Sequence, residues 1–332
     1  MPEKPPENVG RVVFRNRGFY RVICANETIA TSIKGAMLHR ADASIDLPVV
    51  GDWVKISKVD AGGAVIYDIC KRRNTISRVA FGRTSEEIPI AANADYLLIC
   101  MSLNKDFKMS RLERFLFSFS LQGAQSVLIL TKADLYNNPK DVAEVVRIAY
   151  PSLAVHCTSM FEGYEDVLQY FSSGKTSVLA GSSGVGKSTL VNKIAGREAM
   201  RTSCVSLHSG KGRHTTTSSE IIFLGDGFGC VVDTPGVQET TAFLPELNQE
   251  VFHDIEQLSH KCKYRNCTHT FEDGCLILEC LQNGQISKQH YESYKKLIGE
   301  AEFMKGRLDY TSNRNRRLKI FEREEKRRNS RR

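Results

Sequence analysis

Short, mostly apolar runs recur through the middle of the chain, each bounded by polar or glycine-rich residues. In the runs at 126–130, 176–180 and 230–232, polar residues occur only at the start of a run. Continuous apolar runs of strand length are typical of strands buried on both faces in a parallel sheet. A helix-like run at 189–195 follows the second of them. The pattern therefore predicts an α/β unit, which we assign to residues 81–244.

Different patterns flank this unit. Residues 9–80 contain short runs rich in β-branched and aromatic residues, separated by Gly, Asp and Asn. These runs predict an N-terminal OB-like β-barrel of five strands, although an SH3-like barrel fits the periodicity nearly as well. Helical patterns at 247–259 and 287–304 predict a small C-terminal helical domain. The predicted fold is thus multidomain α/β, divided into 1–80, 81–244, 245–300 and a tail at 301–332.

A phosphate-binding loop joins the strand-like run at 176–180 to the helix-like run that follows it. The loop fits G-x-x-x-x-G-K-[ST], whose glycines let backbone N–H groups wrap phosphates at a helix N-terminus. Lys187 is expected to reach the β- and γ-phosphates, and the Ser188 hydroxyl is expected to bind Mg²⁺. The alternative is a glycine-rich turn without a ligand. The candidate nucleotide-binding residues of this loop are Gly181, Ser182, Ser183, Gly184, Val185, Gly186, Lys187, Ser188 and Thr189.

An acidic motif, Asp233-Thr234-Pro235-Gly236, follows the apolar run at 230–232. Asp233 is therefore predicted at the end of a buried strand beside the phosphates, where it would hold Mg²⁺ through a water as a Walker-B carboxylate does. We count Gly236 with the nucleotide-binding residues. An isolated Asp-x-Pro-Gly is more often only a turn, but the polar, Thr-rich segment between the loop and this motif favours the functional interpretation.

A guanine-recognition motif, Thr131-Lys132-Ala133-Asp134, follows the run at 126–130. The Asp134 carboxylate is expected to accept hydrogen bonds from guanine N1–H and the 2-amino group, while the Lys132 stem packs over the base. Adenine lacks this donor pair and would leave the carboxylate unpaired. Backbone amides at 157–159 could contact the base edge. The motif precedes the phosphate loop, whereas ordinary GTPases carry the two in the opposite order, as circular permutation would produce.

Four metal-ligand side chains lie close together after the acidic motif. Three thiolates and one imidazole match a closed structural site for one Zn²⁺, which would supply much of the folding free energy of so small a segment. The alternative is four buried side chains without a metal. Cys280 is predicted to be unliganded, and His290 is predicted to be a helix-surface histidine. The candidate zinc ligands are Cys262, Cys267, His269 and Cys275.

The net charge of +8 is concentrated at the C-terminus, because residues 301–332 hold 12 Lys/Arg against 5 Asp/Glu. A basic arm attracts phosphate backbones through counterion release, so we interpret it as RNA-binding, with a solvated tail as the alternative. Basic and aromatic residues of the barrel also favour RNA binding, although a solvated barrel exterior would look similar; they are Arg11, Arg15, Arg17, Arg21, Arg40, Phe19 and Tyr20. Residues 1–10 contain no apolar signal core, so we expect a cytoplasmic protein without a membrane partner, whose cysteines are thiols or metal ligands.

Together these motifs resemble the ribosome small-subunit-dependent GTPase A family, also called RsgA or YjeQ, over roughly residues 9–300. The resemblance implies a circularly permuted P-loop GTPase that binds GTP/GDP and Mg²⁺. It also implies that the enzyme assists late maturation of the small ribosomal subunit, binds its rRNA, is stimulated by the subunit and leaves after hydrolysis. We expect a monomer. The resemblance rests on the segments 51–54, 131–134, 181–188, 212–217 and 233–236 and on the Cys/His cluster.

The sequence identifies the catalytic residues less completely than it identifies the nucleotide-binding residues. Val237 stands where many GTPases have a Gln that orients the attacking water. The resemblance points to His214 as the substitute, with a mobile surface histidine as the alternative. One of the threonines at 215–217 is expected to close on Mg²⁺ and the γ-phosphate, and Thr216 is our candidate. The base motif also departs from the family pattern, because Thr131 replaces Asn and residues 157–158 replace Ser-Ala. We therefore expect weaker guanine affinity, with Asp134, the specificity determinant, intact.

Two other classes of function fit part of the sequence. A P-loop kinase would also bind Mg²⁺ and a nucleotide, but Asp134 favours guanine and no separate acceptor site is evident. A non-catalytic RNA-binding module could keep the nucleotide only as a structural ligand. Phosphorylation of an acceptor would support the first alternative, and absence of phosphate release with small subunits present would support the second.

Overall fold

Five strands at the N-terminus close into a barrel in this computed structural model. Strand β1 pairs with both β2 and β4, and the ring is completed by the β2–β3, β3–β5 and β5–β4 pairs. Its interior is apolar, because alternate side chains along the strands point into the barrel. The strands are β1 (Val9–Asn16), β2 (Phe19–Cys24), β3 (Glu27–Ile33), β4 (Trp53–Lys58) and β5 (Ala64–Ile69), with a short helix α1 (Gly35–Arg40) after β3.

The structure describes only part of the chain. The described residues are 8–16, 18–41, 43–59, 62–80, 86–104, 107–119, 122–200, 219–233 and 251–306. His214, Thr216 and Gly236 lie outside them, as do the other residues of the expected switch segment and the basic tail from 307 onward. Within the described ranges no helix is both long enough and apolar enough to cross a bilayer.

A mostly parallel sheet forms the centre of the α/β unit, in the order β10-β9-β8-β11-β13-β12. The first five strands run parallel and β12 is antiparallel to β13. The predicted runs at 126–130, 176–180 and 230–232 are confirmed as strands β9, β11 and β13. The strands are β8 (Tyr96–Ser102), β9 (Gln125–Thr131), β10 (Ala154–Cys157), β11 (Thr176–Ala180), β12 (Ser219–Phe223) and β13 (Cys230–Asp233); the helices are α2 (Met109–Phe119), α3 (Pro139–Ala149) and α4 (Lys187–Ala195).

The barrel and this sheet are continuous, because β1 also pairs antiparallel with β12. Arg11 on β1 faces the α/β unit, where its guanidinium donates a 2.7 Å hydrogen bond to Thr176 Oγ1 and lies 3.6 Å from Cys230 Sγ. Tyr20 is 1% exposed in the barrel core. The expectation that Arg11 and Tyr20 lie on an RNA-facing surface is therefore wrong, because packing already occupies both side chains.

A hairpin of β6 (Thr75–Ala80) and β7 (Glu86–Ala92) spans the predicted domain boundary at residue 80. The C-terminal segment is helical, with α5 (His253–Ser259), α6 (Leu276–Gln282) and a last helix, α7, at 288–306. Both predicted helices are confirmed in their described parts. This segment packs on α2, where Phe252 contacts Phe117 at a ring-centroid distance of 5.8 Å and Arg114 pairs with Glu300 at 2.5 Å.

Candidate functional site

The phosphate-binding loop leaves the carboxyl end of β11 and enters α4 at Lys187. Gly181 has φ +129°, and a Cβ there would lie 2.2 Å from the Cys100 carbonyl oxygen on the neighbouring strand β8. Gly186, with φ +104°, precedes the first residue of α4. Only glycine tolerates this close approach and these backbone angles, so the loop can wrap the N-terminus of α4 as an anion-binding site requires.

Lys187 lies inside the curl of this loop. Its ammonium donates hydrogen bonds to the carbonyl oxygens of Gly181 at 2.7 Å and Ser182 at 2.8 Å. Burial lowers the pKa of Lys187, while Cys100 and Asp233 oppose that shift. Burial likewise raises the pKa of Asp233, and the charge of Lys187 opposes it. A cation and an anion are thus held, partly desolvated, around the place where phosphates and Mg²⁺ would bind.

Asp233 is the last residue of β13, which pairs with β11 through Val178 and Val232. The carboxyl end of β13, where Asp233 lies, is therefore beside the start of the phosphate-binding loop, as predicted from the sequence. Ser188 lies in the first turn of α4. A hydroxyl and a carboxylate at these places suit Mg²⁺, which keeps several waters and prefers oxygen ligands.

The base motif begins at Thr131, the last residue of β9, at the same edge of the sheet. Lys132 has φ 55°, and Asp134 lies exposed in a 3₁₀ turn, Ala133–Leu135. The Ala133 N–H donates a 3.1 Å hydrogen bond to the Thr158 carbonyl, which ties this turn to the loop after β10. The Thr131 hydroxyl donates to the Val185 carbonyl, so the base motif also holds the phosphate-binding loop.

The loop after β10 differs from expectation. The Thr158 N–H donates to the Leu130 carbonyl at 2.8 Å, and the Ser159 N–H donates to the Glu162 carbonyl at 2.9 Å. Both amides are thus used inside the protein, although we expected residues 157–159 to offer amides to the base edge. Parallel pairing of β10 with β9 continues one residue past the strand end, and a tight turn around Ser159 uses the next amide.

The four predicted zinc ligands are brought together. One ligand atom from each of Cys262, Cys267, His269 and Cys275 lies within 4.8 Å of all the others. His269 Nδ1 is 3.7 Å from Cys262 Sγ and 3.4 Å from Cys275 Sγ. A tetrahedral Zn²⁺ bound at about 2.0–2.3 Å would separate its ligands by roughly 3.5–3.8 Å, so this donor set fits the ion. Cys280 is not part of the group; its thiol donates to Gln285 Oε1 at 3.1 Å.

The ligand loop is braced from two sides. The Glu272 carboxylate accepts hydrogen bonds from the N–H groups of Thr268 at 2.7 Å and Thr270 at 3.0 Å. The hydrogen bond from the Thr268 hydroxyl, together with these two N–H groups, holds the pKa of Glu272 well below its usual range. Tyr291 on α7 donates its hydroxyl to the His269 carbonyl at 3.2 Å. The geometry of the ligand loop is therefore fixed by backbone and side-chain contacts as well as by the ligands themselves.

His290 is not the surface histidine that we predicted. Its side chain is 18% exposed and bridges two carboxylates, with Nδ1 2.8 Å from Glu113 Oε1 on α2 and Nε2 3.3 Å from Asp254 Oδ1 on α5. Burial opposes its positive charge, but hydrogen bonds to Asp254 and Glu113, and their charges, outweigh burial and raise the pKa of His290 to about 9. Helical periodicity could not reveal this contact, because its partner on α2 is remote in sequence.

This bridge predicts a pH-dependent stability. Because the pKa of His290 is raised to about 9 on folding, its contribution should be complete below the unfolded value of about 6.5 and should disappear as pH rises through about 9. The free energy of unfolding should fall by on the order of 3 kcal/mol over that interval. Denaturant titrations between these pH values should show that fall in the wild type and a nearly flat profile for His290→Gln. An exposed neighbour, His253→Gln, is the control and should behave as wild type.

A family model described as RsgA GTPase matches residues 69–243. The chain is 36% identical to Small ribosomal subunit biogenesis GTPase RsgA 2 of Lactiplantibacillus plantarum over 299 residues, covering 89% of this chain and 84% of that protein. It is 40% identical to Small ribosomal subunit biogenesis GTPase RsgA 1 of Listeria innocua over 295 residues, covering 88% and 83%. The crystal structure of YjeQ from Thermotoga maritima superposes with a TM-score of 0.61 at 26% identity, covering 89% of this chain and 98% of that one.

The predicted circular permutation is confirmed by the fold, since a further solved structure that matches, at 24% identity and a TM-score of 0.57, is YloQ, a circularly permuted GTPase. Base motif, phosphate-binding loop and Asp233 meet at one edge of the sheet in spite of their order along the chain. The carboxyl ends of parallel strands are where nucleotides bind in such sheets. The chain therefore belongs to the RsgA GTPase family and is a GTP-hydrolysing enzyme.

Proposed function

We propose that this GTPase assists late maturation of the small ribosomal subunit, binds the subunit's rRNA and leaves after GTP hydrolysis. The observation that carries the GTPase part is the meeting of the ends of β9, β11 and β13, which brings Asp134, Lys187 and Asp233 to one side of the sheet. The ribosomal part is supported by relatives named small ribosomal subunit biogenesis GTPase. We further propose that the protein acts as a cytoplasmic monomer.

In this proposal each motif has one task. Asp134 reads the guanine N1–H and 2-amino group, and the backbone of residues 181–189 wraps the phosphates of GTP or GDP. Lys187 neutralises charge on the β- and γ-phosphates, while Ser188 and Asp233 hold Mg²⁺. His214 orients the attacking water and Thr216 closes on Mg²⁺ and the γ-phosphate. Zn²⁺, held by the four-residue cluster, has a structural role, because four protein ligands leave no open coordination position for a substrate.

Exposed aromatic and basic side chains support the rRNA contact. On the barrel, Phe19 and Trp53 are exposed, and the Arg21 guanidinium lies 4.9 Å from the Phe14 ring centroid on the same sheet. In the zinc segment, Phe271 is 83% exposed. Aromatic faces stack on unpaired bases and nearby cations neutralise phosphates, so both surfaces suit RNA.

Asp134→Asn should shift nucleotide preference from GTP towards xanthosine triphosphate. The amide of Asn can donate to the 2-oxo group of xanthine, whereas the carboxylate of Asp134 accepts from the 2-amino group of guanine. Competition binding with the two nucleotides measures the shift, and we expect the preference to reverse in the variant. Unchanged selectivity for GTP would remove Asp134 from the base pocket.

The subunit association should depend on nucleotide and on salt. Sedimentation with purified small subunits should retain the protein when a non-hydrolysable GTP analogue is bound and release it when GDP is bound. Removal of residues 307–332, which carry most of the net charge, should weaken the association and flatten its dependence on salt, because fewer counterions are released. Equal retention with either nucleotide would contradict release after hydrolysis.

A further inference from the structure

Thr131 opens the base motif, yet its side chain is directed into the protein. The residue is 4% exposed, and its hydroxyl donates to the carbonyl oxygen of Val185 in the phosphate-binding loop. The other acceptor near the hydroxyl is the Met101 carbonyl at 3.4 Å. A hydroxyl has one hydrogen to donate. Because Val185 receives it, Thr131 has no hydrogen left for a nucleotide base.

Guanine presents two kinds of edge to such a site. Its N1–H and 2-amino group are donors, which a carboxylate accepts, while O6 and N7 are acceptors and need donors. The Asp134 carboxylate can accept hydrogen bonds only from the N1–H and 2-amino edge. An asparagine at position 131 would have two amide hydrogens, one for the Val185 carbonyl and one for N7, whereas threonine can serve only one of these partners.

Backbone donors in the loop after β10 are also largely in use. The amides of Thr158 and Ser159 donate to carbonyls within the protein, and those of Phe161 and Glu162 donate to Ser159 Oγ, both at 3.1 Å. Among residues 158–162, the Met160 N–H is the amide without a described acceptor. One amide can satisfy one acceptor on the base, and we assign the Met160 N–H to O6.

We propose that Thr131 acts as a tether for the phosphate-binding loop and does not read the base, so that this enzyme selects guanine without a hydrogen bond to N7. This inference rests on the proposed guanine site and defines its specificity. It follows that 7-deaza-GTP, in which a C–H replaces N7, binds as well as GTP. Inosine triphosphate, which lacks the 2-amino group, binds more weakly because half of the edge facing Asp134 is lost.

Competition binding with GTP, 7-deaza-GTP and inosine triphosphate tests the inference on the full-length wild-type protein. We expect the dissociation constants of GTP and 7-deaza-GTP to differ by no more than about twofold. Loss of one hydrogen bond would change the affinity by more than this. A 7-deaza-GTP affinity tenfold below that of GTP, with inosine triphosphate still discriminated, would overturn the inference and leave the guanine site standing. Failure to prefer GTP over inosine triphosphate would overturn the proposed guanine site itself.

Three substitutions at this position sharpen the test. Thr131→Ser keeps the tether and should leave the ratio of the two affinities unchanged. Thr131→Val removes the hydroxyl and should weaken GTP and 7-deaza-GTP by the same factor. Thr131→Asn introduces an amide with two N–H donors, one for the Val185 carbonyl and one for N7 of the base. This variant should therefore bind GTP about fivefold more tightly than 7-deaza-GTP. A Thr131→Val variant that loses GTP affinity but not 7-deaza-GTP affinity would show that the hydroxyl does read N7.

Discussion

Cys267→Ser is expected to release Zn²⁺ and to unfold much of the segment at 251–306 while leaving GTP binding largely in place. A structural Zn²⁺ contributes on the order of 10 kcal/mol to small domains of this kind, and a hydroxyl is a poor replacement for a thiolate. Between Cys262 and Gly274 no side chain is buried, so the ligand loop has no apolar core of its own. The phosphate-binding loop lies between β11 and α4, outside the affected segment.

Metal analysis and limited proteolysis measure this effect. The wild type should carry about one Zn²⁺ per chain, and the variant should be cut rapidly within 251–306. Cys280→Ser is the matched control, because Cys280 is a buried thiol in the same segment but outside the ligand group. Absence of zinc in the wild type, together with full protease resistance of Cys267→Ser, would exclude the site.

His214→Ala is expected to remove most of the stimulation of GTP turnover by small subunits while changing nucleotide affinity little. Val237 cannot hold the attacking water, so a group that acts only in the transition state must do so. Loss of such a group lowers kcat and kcat/KM together. We expect the stimulated turnover rate to fall by about a hundredfold, a factor within the usual contribution of a positioned catalytic side chain.

His208→Ala is the matched control, because it removes a second histidine from the same segment at 201–218. It should be stimulated as strongly as the wild type. If His214→Ala is stimulated equally well, another group positions the water, and the ribosome itself becomes the candidate donor of that group. If both variants lose stimulation, the effect belongs to the segment as a whole and not to His214.

The phosphate-binding loop, the base motif and the zinc ligands could each be predicted because each is a short segment with its own residue pattern. Glycine at 181 and 186 is required by local backbone angles, and the zinc ligands lie within one short loop. The apolar runs also identified their strands, since strands buried on both faces need no alternation.

The features that the sequence could not reveal depend on contacts between segments that are far apart along the chain. The pairing of β1 with β12 turns Arg11 towards Thr176, and the packing of α7 on α2 places His290 against Glu113. Neither contact follows from charge or periodicity, because an arginine on a strand or a histidine on a helix shows the same local pattern whether it faces solvent or a neighbouring domain. The tether between Thr131 and Val185 has the same origin, as it joins two loops that are separated by more than fifty residues.

GTP turnover by the purified protein, measured with and without purified small ribosomal subunits, tests the central claim most directly. The account predicts basal turnover far below the roughly 10 per second of typical enzymes, and a steep rise when small subunits are added but not when large subunits are added. Turnover that is unchanged by small subunits, or that rises equally with either subunit, would contradict it.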